Sequence, residues 1–429
     1  MSGIPATAVR AILDAVEAGR TERAEFLGEL TRIASRRHAE DGALDHMSAA
    51  LSARGWDVDD WTVPVAALSD QPGFCDAAGE VAEIRSVTGT LSPEHPSGRS
   101  LILQGHVDVV PEGPGEMWTT PPYQPEIRDG WMHGRGAGDM KAGKAAALFA
   151  VDAIRQAGFE PDGRLHYQSV VEEESTGLGA LATLARGYRA DCVLIPEPTG
   201  HTLVRAQVGV VWFRLRVRGR PVHVAEAGSG SNAIMAAYHL LDALQRMADD
   251  WNTEAVRHPV YADAHHPLNF NAGTIRGGDW ASSVPAWCEV ECRMGLLPGT
   301  PVAEAKTRIA ETVQQAAETH PFLRSNPPEI TWNGFQADGY VLENAAGPEA
   351  ALSSAYQTVF DTPGPEDRLM TALTDTRFYG LYHGIPSLCF GPVAENIHGF
   401  DERVHMDSLT ACTGVIALFI AEWCGLRDA

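Results

Sequence analysis

The sequence predicts a mixed-sheet α/β protein, helices covering a sheet, interrupted by an inserted unit of βαββαβ order like a ferredoxin-like fold. Three observations lead there. Short continuous apolar runs at residues 101–103 and 192–195 suit strands buried on both faces, and 165–171 reads as a further strand running into three glutamates. Helical patterns separate these runs and polar residues close them, the arrangement in which sites gather at the carboxyl ends of strands. From about Gly209 the texture changes: Val211, Phe213, Leu215 and Val217 alternate with Trp212, Arg214, Arg216 and Arg218, which fits a sheet with one solvated face.

Taken in order, residues 5–34 and 40–54 read as helices, the second ending at Gly55, a C-cap residue type. Residues 56–65 read as a strand. Residues 66–98, rich in Gly, Pro, Ser and Asp, read as loop with one short strand near 81–87. A central strand covers 101–110. Helices follow at 142–158 and 177–187, flanking the strands 165–171 and 192–195. The insert offers a strand at 210–218, a helix at 232–247, strands at 269–276 and 284–293, a helix at 302–318 and a strand at 329–332. A helix near 348–360, a strand at 387–390 and a closing helix at 408–424 complete the chain. At 429 residues the chain exceeds one ordinary core. The expected division is one domain from 1–208 and 335–429, with 209–334 inserted as a lid.

Composition narrows the partners. With 33 basic against 56 acidic residues the formal charge is −23, the wrong sign for nucleic acid or an anionic membrane. The seven cysteines form no Cys-x-x-Cys pair, so neither a disulfide framework nor a thiolate zinc site is expected. No N-terminal apolar leader or run of eighteen apolar residues stands out, so the expected location is the cytoplasm and the expected partner a small-molecule substrate.

His106 and Asp108 project from one side of their strand where it leaves the core, and a carboxylate two residues on is how an imidazole ligand gains an orienting partner. Residues 138–145 imitate the phosphate loop G-x-x-x-x-G-K. However, Ala145 stands where a magnesium-holding hydroxyl belongs, and Asp139 would put negative charge in the cradle. Glu172-Glu173-Glu174 crowds like charges at the end of a buried strand, which is costly unless a cation or proton compensates. Asp139 and Glu197 stand at two further turns. Four such clusters without thiolates suit a hydrolytic centre of zinc, manganese or cobalt type.

Gly105-His106-Val107-Asp108-Val109-Val110-Pro111, Gly134-Arg135-Gly136-Ala137-Gly138-Asp139-Met140-Lys141, Glu172-Glu173-Glu174, Pro196-Glu197-Pro198-Thr199 and Asn396-Ile397-His398-Gly399, in this order, resemble the M20 family of metallopeptidases and deacylases. That family includes acetylornithine deacetylase, succinyl-diaminopimelate desuccinylase, aminoacylase and carboxypeptidase G. The resemblance implies two divalent metal ions (Zn, Mn or Co), one on His106 and Glu197, the other on Glu174 and His398, with Asp139 bridging. It implies that Asp108 orients His106, that Glu173 is the general base toward a metal-activated water, and that the peptide after Asp139 is cis. Gly219-Arg220-Pro221-Val222-His223-Val224-Ala225 resembles the motif whose histidine crosses a dimer interface to steady the oxyanion, giving a homodimer or higher homo-oligomer through the lid. Asn232, in Gly230-Ser231-Asn232-Ala233, matches the family and equally suits a helix N-cap. Ser282 and Gly295 depart from the family's substrate-holding Asn and Arg. Arg293, two residues earlier on the same strand face, is the substitute, and Arg377 in Thr374-Asp375-Thr376-Arg377 is the leading carboxylate binder, with a structural ion pair as its alternative. The expected reaction is hydrolysis of an amide of a small carboxylate-bearing molecule such as an N-acyl amino acid. Cleavage of an aryl amine or carbamoyl C–N bond is the alternative, and the complete ligand set with Glu173 argues against a noncatalytic or nucleotide-binding protein.

Overall fold

A computed structural model describes residues 3–75 and 80–429. Its centre is a six-stranded mixed sheet. In spatial order the strands are Asp57–Pro64, Glu83–Leu91, Leu165–Val170, Leu101–His106, Val193–Ile195 and Ser387–Cys389. The last four run parallel, and the first two add antiparallel at one edge. Leu101–His106 and Leu165–Val170 are buried at every position, polar residues included, so both faces are covered. All four parallel strands deliver their carboxyl ends to one edge, and that is where the acidic motifs lie.

The closing helix Met406–Cys424 is long and apolar enough to cross a membrane, yet 78% of its most apolar stretch is buried in this molecule. It packs against Ala142–Gln156 and Ala346–Phe360.

Four expectations need correction. Residues 5–34 form two helices, Ala6–Ala18 and Arg20–Arg32, divided at Gly19, a residue that weakens helix continuity. The short strand near 81–87 is a nine-residue member of the main sheet, Glu83–Leu91. The glycine that made this stretch look like loop, Gly89, sits where the helix Asp41–Ala53 packs closely: a Cβ there would lie 3.1 Å from Leu51. In the insert, the helix runs further, Ala233–Ala255, and the last strand reaches Ala337. A three-stranded sheet of Tyr340–Val341, Leu203–Gln207 and Asp367–Met370, and the helix Thr376–His383, carry no periodicity strong enough to reveal them.

The inserted sheet has the order Phe270–Gly277, Trp287–Leu296, Gly209–Arg218, Glu329–Ala337, all antiparallel, the split βαβ arrangement. Val211, Phe213, Leu215 and Val217 join Leu240, Leu244, Ile309 and Val313 in one core beneath its two helices. The opposite face carries Trp212 beside Arg293 and Arg214 beside Glu291, matched across strands.

Candidate metal centre and its cavity

Three of the motifs leave the main sheet at the carboxyl end of a strand: His106 from Leu101–His106, the glutamates after Leu165–Val170 and Glu197 after Val193–Ile195. Asp139 lies in the turn between Trp131–His133 and the helix Ala142–Gln156. His106 is the last residue of its strand, with Nδ1 2.9 Å from the backbone carbonyl of Asp108 and 3.5 Å from the Asp108 carboxylate. Asp108 therefore orients the ring through its main chain more closely than through its side chain, whose Oδ2 accepts from the backbone N–H of Glu174 at 3.2 Å. This leaves the His106 Nε2 facing Asp139 Oδ1 at 3.2 Å, with Glu197 at 3.9 Å and Glu173 at 4.0 Å. The other Asp139 oxygen, Oδ2, faces His398 Nε2 at 3.4 Å, and Glu174 lies 3.1 Å from that same nitrogen. One carboxylate thus stands between two imidazoles, each with a glutamate at its side.

The fit to cations follows from these separations. Donor atoms that share one ion at about 2 Å each end up about 3–4 Å apart. Ligand atoms of His106, Asp139 and Glu174 all fall within 4.8 Å of one another. The donors are nitrogen and carboxylate oxygen, the set that suits zinc, manganese or cobalt. No lysine or arginine pairs with Asp139, Glu173, Glu174 or Glu197 among the described residues, so the carboxylates rely on the two imidazoles.

Electrostatics records the crowding. Burial opposes charge on His106, but hydrogen bonds to Asp108 and Asp139 outweigh it and raise its pKa well above the usual value. His398 is pushed up to about 11, chiefly by Glu174. Burial works against ionised Asp139 too, yet its bonds to both histidines hold it below the usual carboxylate range. Glu173 and Glu197 are raised well above theirs, first by burial and then by neighbouring carboxylates.

Asp139 is held by residues that sequence reasoning passed over. Glu402, almost fully buried, accepts from the backbone N–H groups of Gly138 and Asp139 at 2.9 and 3.0 Å and pairs with Arg135 at 2.5 Å. The signal was Arg135 itself, a charged residue in a buried glycine-rich turn that needs an anion nearby. The Asp139–Met140 peptide is cis, as the resemblance implied. The three consecutive glutamates divide: Glu172 turns away to pair with Arg37 and accept from Thr176, leaving Glu173 and Glu174 to the site.

A cavity of about 540 Å³ opens between this edge and the polar face of the inserted sheet, lined by Glu173, Glu174 and His398 below and by Trp212, Arg293 and Asn333 above. Of the expected substrate-binding residues only Arg293 borders it, with two guanidinium nitrogens donating to the carbonyls of Asn269 and Thr371 at 3.2 and 3.1 Å. Arg377 does not. It is fully buried, donating to the carbonyls of Thr374 and Thr176, 3.7 Å from Asp375 and packed over Phe378. Asn232 caps its helix, accepting from Ile234 and Met235, and stands outside the cavity. His223 is exposed on the insert's outer loop, with Nδ1 accepting from Ala225, and is likewise outside the cavity. Ser282 is exposed, and a Cβ at Gly295 would press within 3.2 Å of the Asn269 backbone.

The profile of peptidase family M20/M25/M40 matches residues 102–422. The N-formyl-4-amino-5-aminomethyl-2-methylpyrimidine deformylase of Halalkalibacterium halodurans is 29% identical over 80% of this chain and 82% of its own length. The enzyme of that name from Bacillus subtilis is 28% identical over 90% of each chain. Among solved structures, human carnosine dipeptidase 1 superposes with a TM-score of 0.78 and the dipeptidase Dug1p of Saccharomyces cerevisiae with 0.79. Each is 15% identical and each match covers 97% of this chain and 99% of the other. At that identity the likeness is one of fold.

Proposed function

The chain belongs to peptidase family M20/M25/M40 and is a hydrolase, and from that premise we propose that it removes an acyl group, foremost a formyl group, from a small amine at a centre holding two divalent cations. The observation that carries the reading is Asp139, with one oxygen toward His106 and the other toward His398. His106 and Glu197 would hold one cation, Glu174 and His398 the other, and Asp139 both. When bound, such ions acidify water and polarise a carbonyl oxygen. Asp108 and Glu402 fix the ligands: the first sets the ring of His106, the second the backbone of Asp139.

Glu173 does the proton work. It lies beside the ligands, 4.0 Å from the His106 ring and paired with no lysine or arginine among the described residues, and burial makes its carboxyl accept a proton far more readily than an exposed glutamate. It takes a proton from the attacking water and delivers it to the departing nitrogen. Two observations favour a formamide over the N-acyl amino acid that the resemblance suggested. The pyrimidine deformylases match over most of their length, and Arg377 is tied into the core. An aryl amine or carbamoyl C–N bond is the second reading, resting on Ser282 and Gly295 at the two departing positions.

The assembly proposed is a dimer through the insert. Its edge strand Phe270–Gly277 is exposed along most of its length, and Ile275, Met235 and Trp280 are exposed apolar residues of the same unit. His223, exposed on a loop of this unit, would reach a partner's cavity. The test is turnover of N-formyl and N-acetyl amines against N-acyl amino acids by the cation-loaded protein. Formamide hydrolysis that chelation stops and added Zn, Mn or Co restores is expected; turnover untouched by chelation would refute the reading.

A further inference from the structure

The upper wall of the cavity is built around an irregularity in the inserted sheet. Val211 pairs with Gln336 and Phe213 with Trp332, so residues 333–335 bulge opposite Trp212 alone. Gln336 stitches the gap, its Nε2 donating to the carbonyls of Trp212 and Asn333 at 2.9 and 3.1 Å. Gly334, at φ 58°, makes the bulge feasible: a Cβ there would sit 2.4 Å from the indole of Trp212. Bulges beside active sites re-aim side chains. This one puts Asn333 and Phe335 on the cavity wall with Trp212, whose ring stands at 89° to that of Phe335, 5.3 Å between centroids.

The wall is unfinished in its hydrogen bonding. Asn333 is 7% exposed; its Nδ2 donates to Glu291 at 3.0 Å, while its Oδ1 has no partner. The Nε1 of Trp212 is buried and also has none. A buried acceptor and a buried donor left unmet on one wall are costly, and each requires an explanation. The carboxylates of this wall already have cations: Glu291 and Glu289 face Arg214, and Glu80 lies between Arg214 and Arg37.

Resting on the deacylase reading above, we propose that this bulge is the recognition subsite for the amine half of the substrate, and that it takes a planar nitrogen heteroaromatic ring with an exocyclic amino group. The ring packs on Phe335, its amino N–H donates to Asn333 Oδ1, and a ring nitrogen accepts from Trp212 Nε1. Gly334 is a positioning residue, since it keeps indole and bulge together.

The test is calorimetric titration of the cation-loaded chain with 4-amino-2-methylpyrimidine, 2-methylpyrimidine and N-formylglycine. The aminopyrimidine is expected to bind about tenfold or more tighter than the ring lacking the amino group, the worth of one buried hydrogen bond. Asn333→Leu should erase that preference. Trp212→Phe, which keeps the aromatic bulk, should weaken both rings about tenfold, and a thermal melt checks that each variant folds. Equal binding of the two pyrimidines, tighter binding of N-formylglycine, or a preference that survives in Asn333→Leu would overturn the proposal. Selective aminopyrimidine binding by a chain that hydrolyses no formamide would support the subsite and sink the deacylase reading, so the two failures are distinguishable.

Discussion

The two walls of the cavity handle charge in opposite ways. The lower wall, with Asp139 and Glu197 behind it, gathers four carboxylates around two imidazoles, and among the described residues no lysine or arginine pairs with them. The upper wall ties its carboxylates to Arg214 and Asn333 and leaves neutral polar atoms unmet. Crowded like charge in a buried place is costly, so beyond the two imidazoles this edge favours a compensating cation. Unmet neutral donors and acceptors ask instead for a polar, uncharged ligand edge. On the proposed reading, the contrast places chemistry at one wall and recognition at the other.

The largest effect is expected from Asp139→Ala, which removes the carboxylate between both imidazoles. Bound cation measured by atomic absorption should fall below one per chain and activity to background; two ions retained would erase the distinction between the walls. Glu173→Gln comes next. It should lower kcat by about 10²–10⁴-fold while the cation content is unchanged, and loss of cations instead would make Glu173 a ligand.

Arg377→Met sharpens the comparison from outside both walls. Breaking a buried pair with Asp375 costs about 3–5 kcal/mol, so denaturant unfolding should show a large loss of stability. A raised KM at unchanged stability would return Arg377 to substrate binding. Glu402→Gln keeps the shape beside Asp139 but not the charge, and should weaken cation affinity about 10–100-fold, as removing an orienting partner does; unchanged affinity in a competition titration would contradict that role.

The smallest effect concerns pH. Glu40, behind the strand-end motifs, is pushed up to about 7 from its ordinary 4.5, chiefly by burial. A raised carboxyl means that the folded chain holds a proton the unfolded chain releases, so stability falls as pH rises from about 4.5 through 7. Glu40→Gln should flatten this slope, melting roughly 1–2 °C above the parent at pH 8 and converging with it near pH 4.5. Parallel curves would exclude Glu40 as the source.

The lower wall was legible because its chemistry sits in short contiguous motifs at strand ends. A His-x-Asp and a run of glutamates after an apolar run carry their own explanation. The upper wall was not. Trp212 and Arg214 appeared as the solvated half of an alternating strand, and their half-burial against a second unit is a tertiary fact. Asn333 and Phe335 owe their place to a bulge that no periodicity announces. Arg377 was open in the sequence between a carboxylate binder and a structural ion pair, and only the tertiary structure shows it buried 3.7 Å from Asp375 among backbone carbonyls and aromatic rings. Glu83–Leu91 was under-read because glycine in a strand looks like loop until the packed helix is seen.

The central claim is that Asp139 stands between two cations, and crystals grown with Mn²⁺ test it through anomalous scattering at the manganese edge. The account predicts two peaks per chain, one among His106, Asp139 and Glu197 and one among His398, Asp139 and Glu174. A single peak, or peaks away from Asp139, would contradict it.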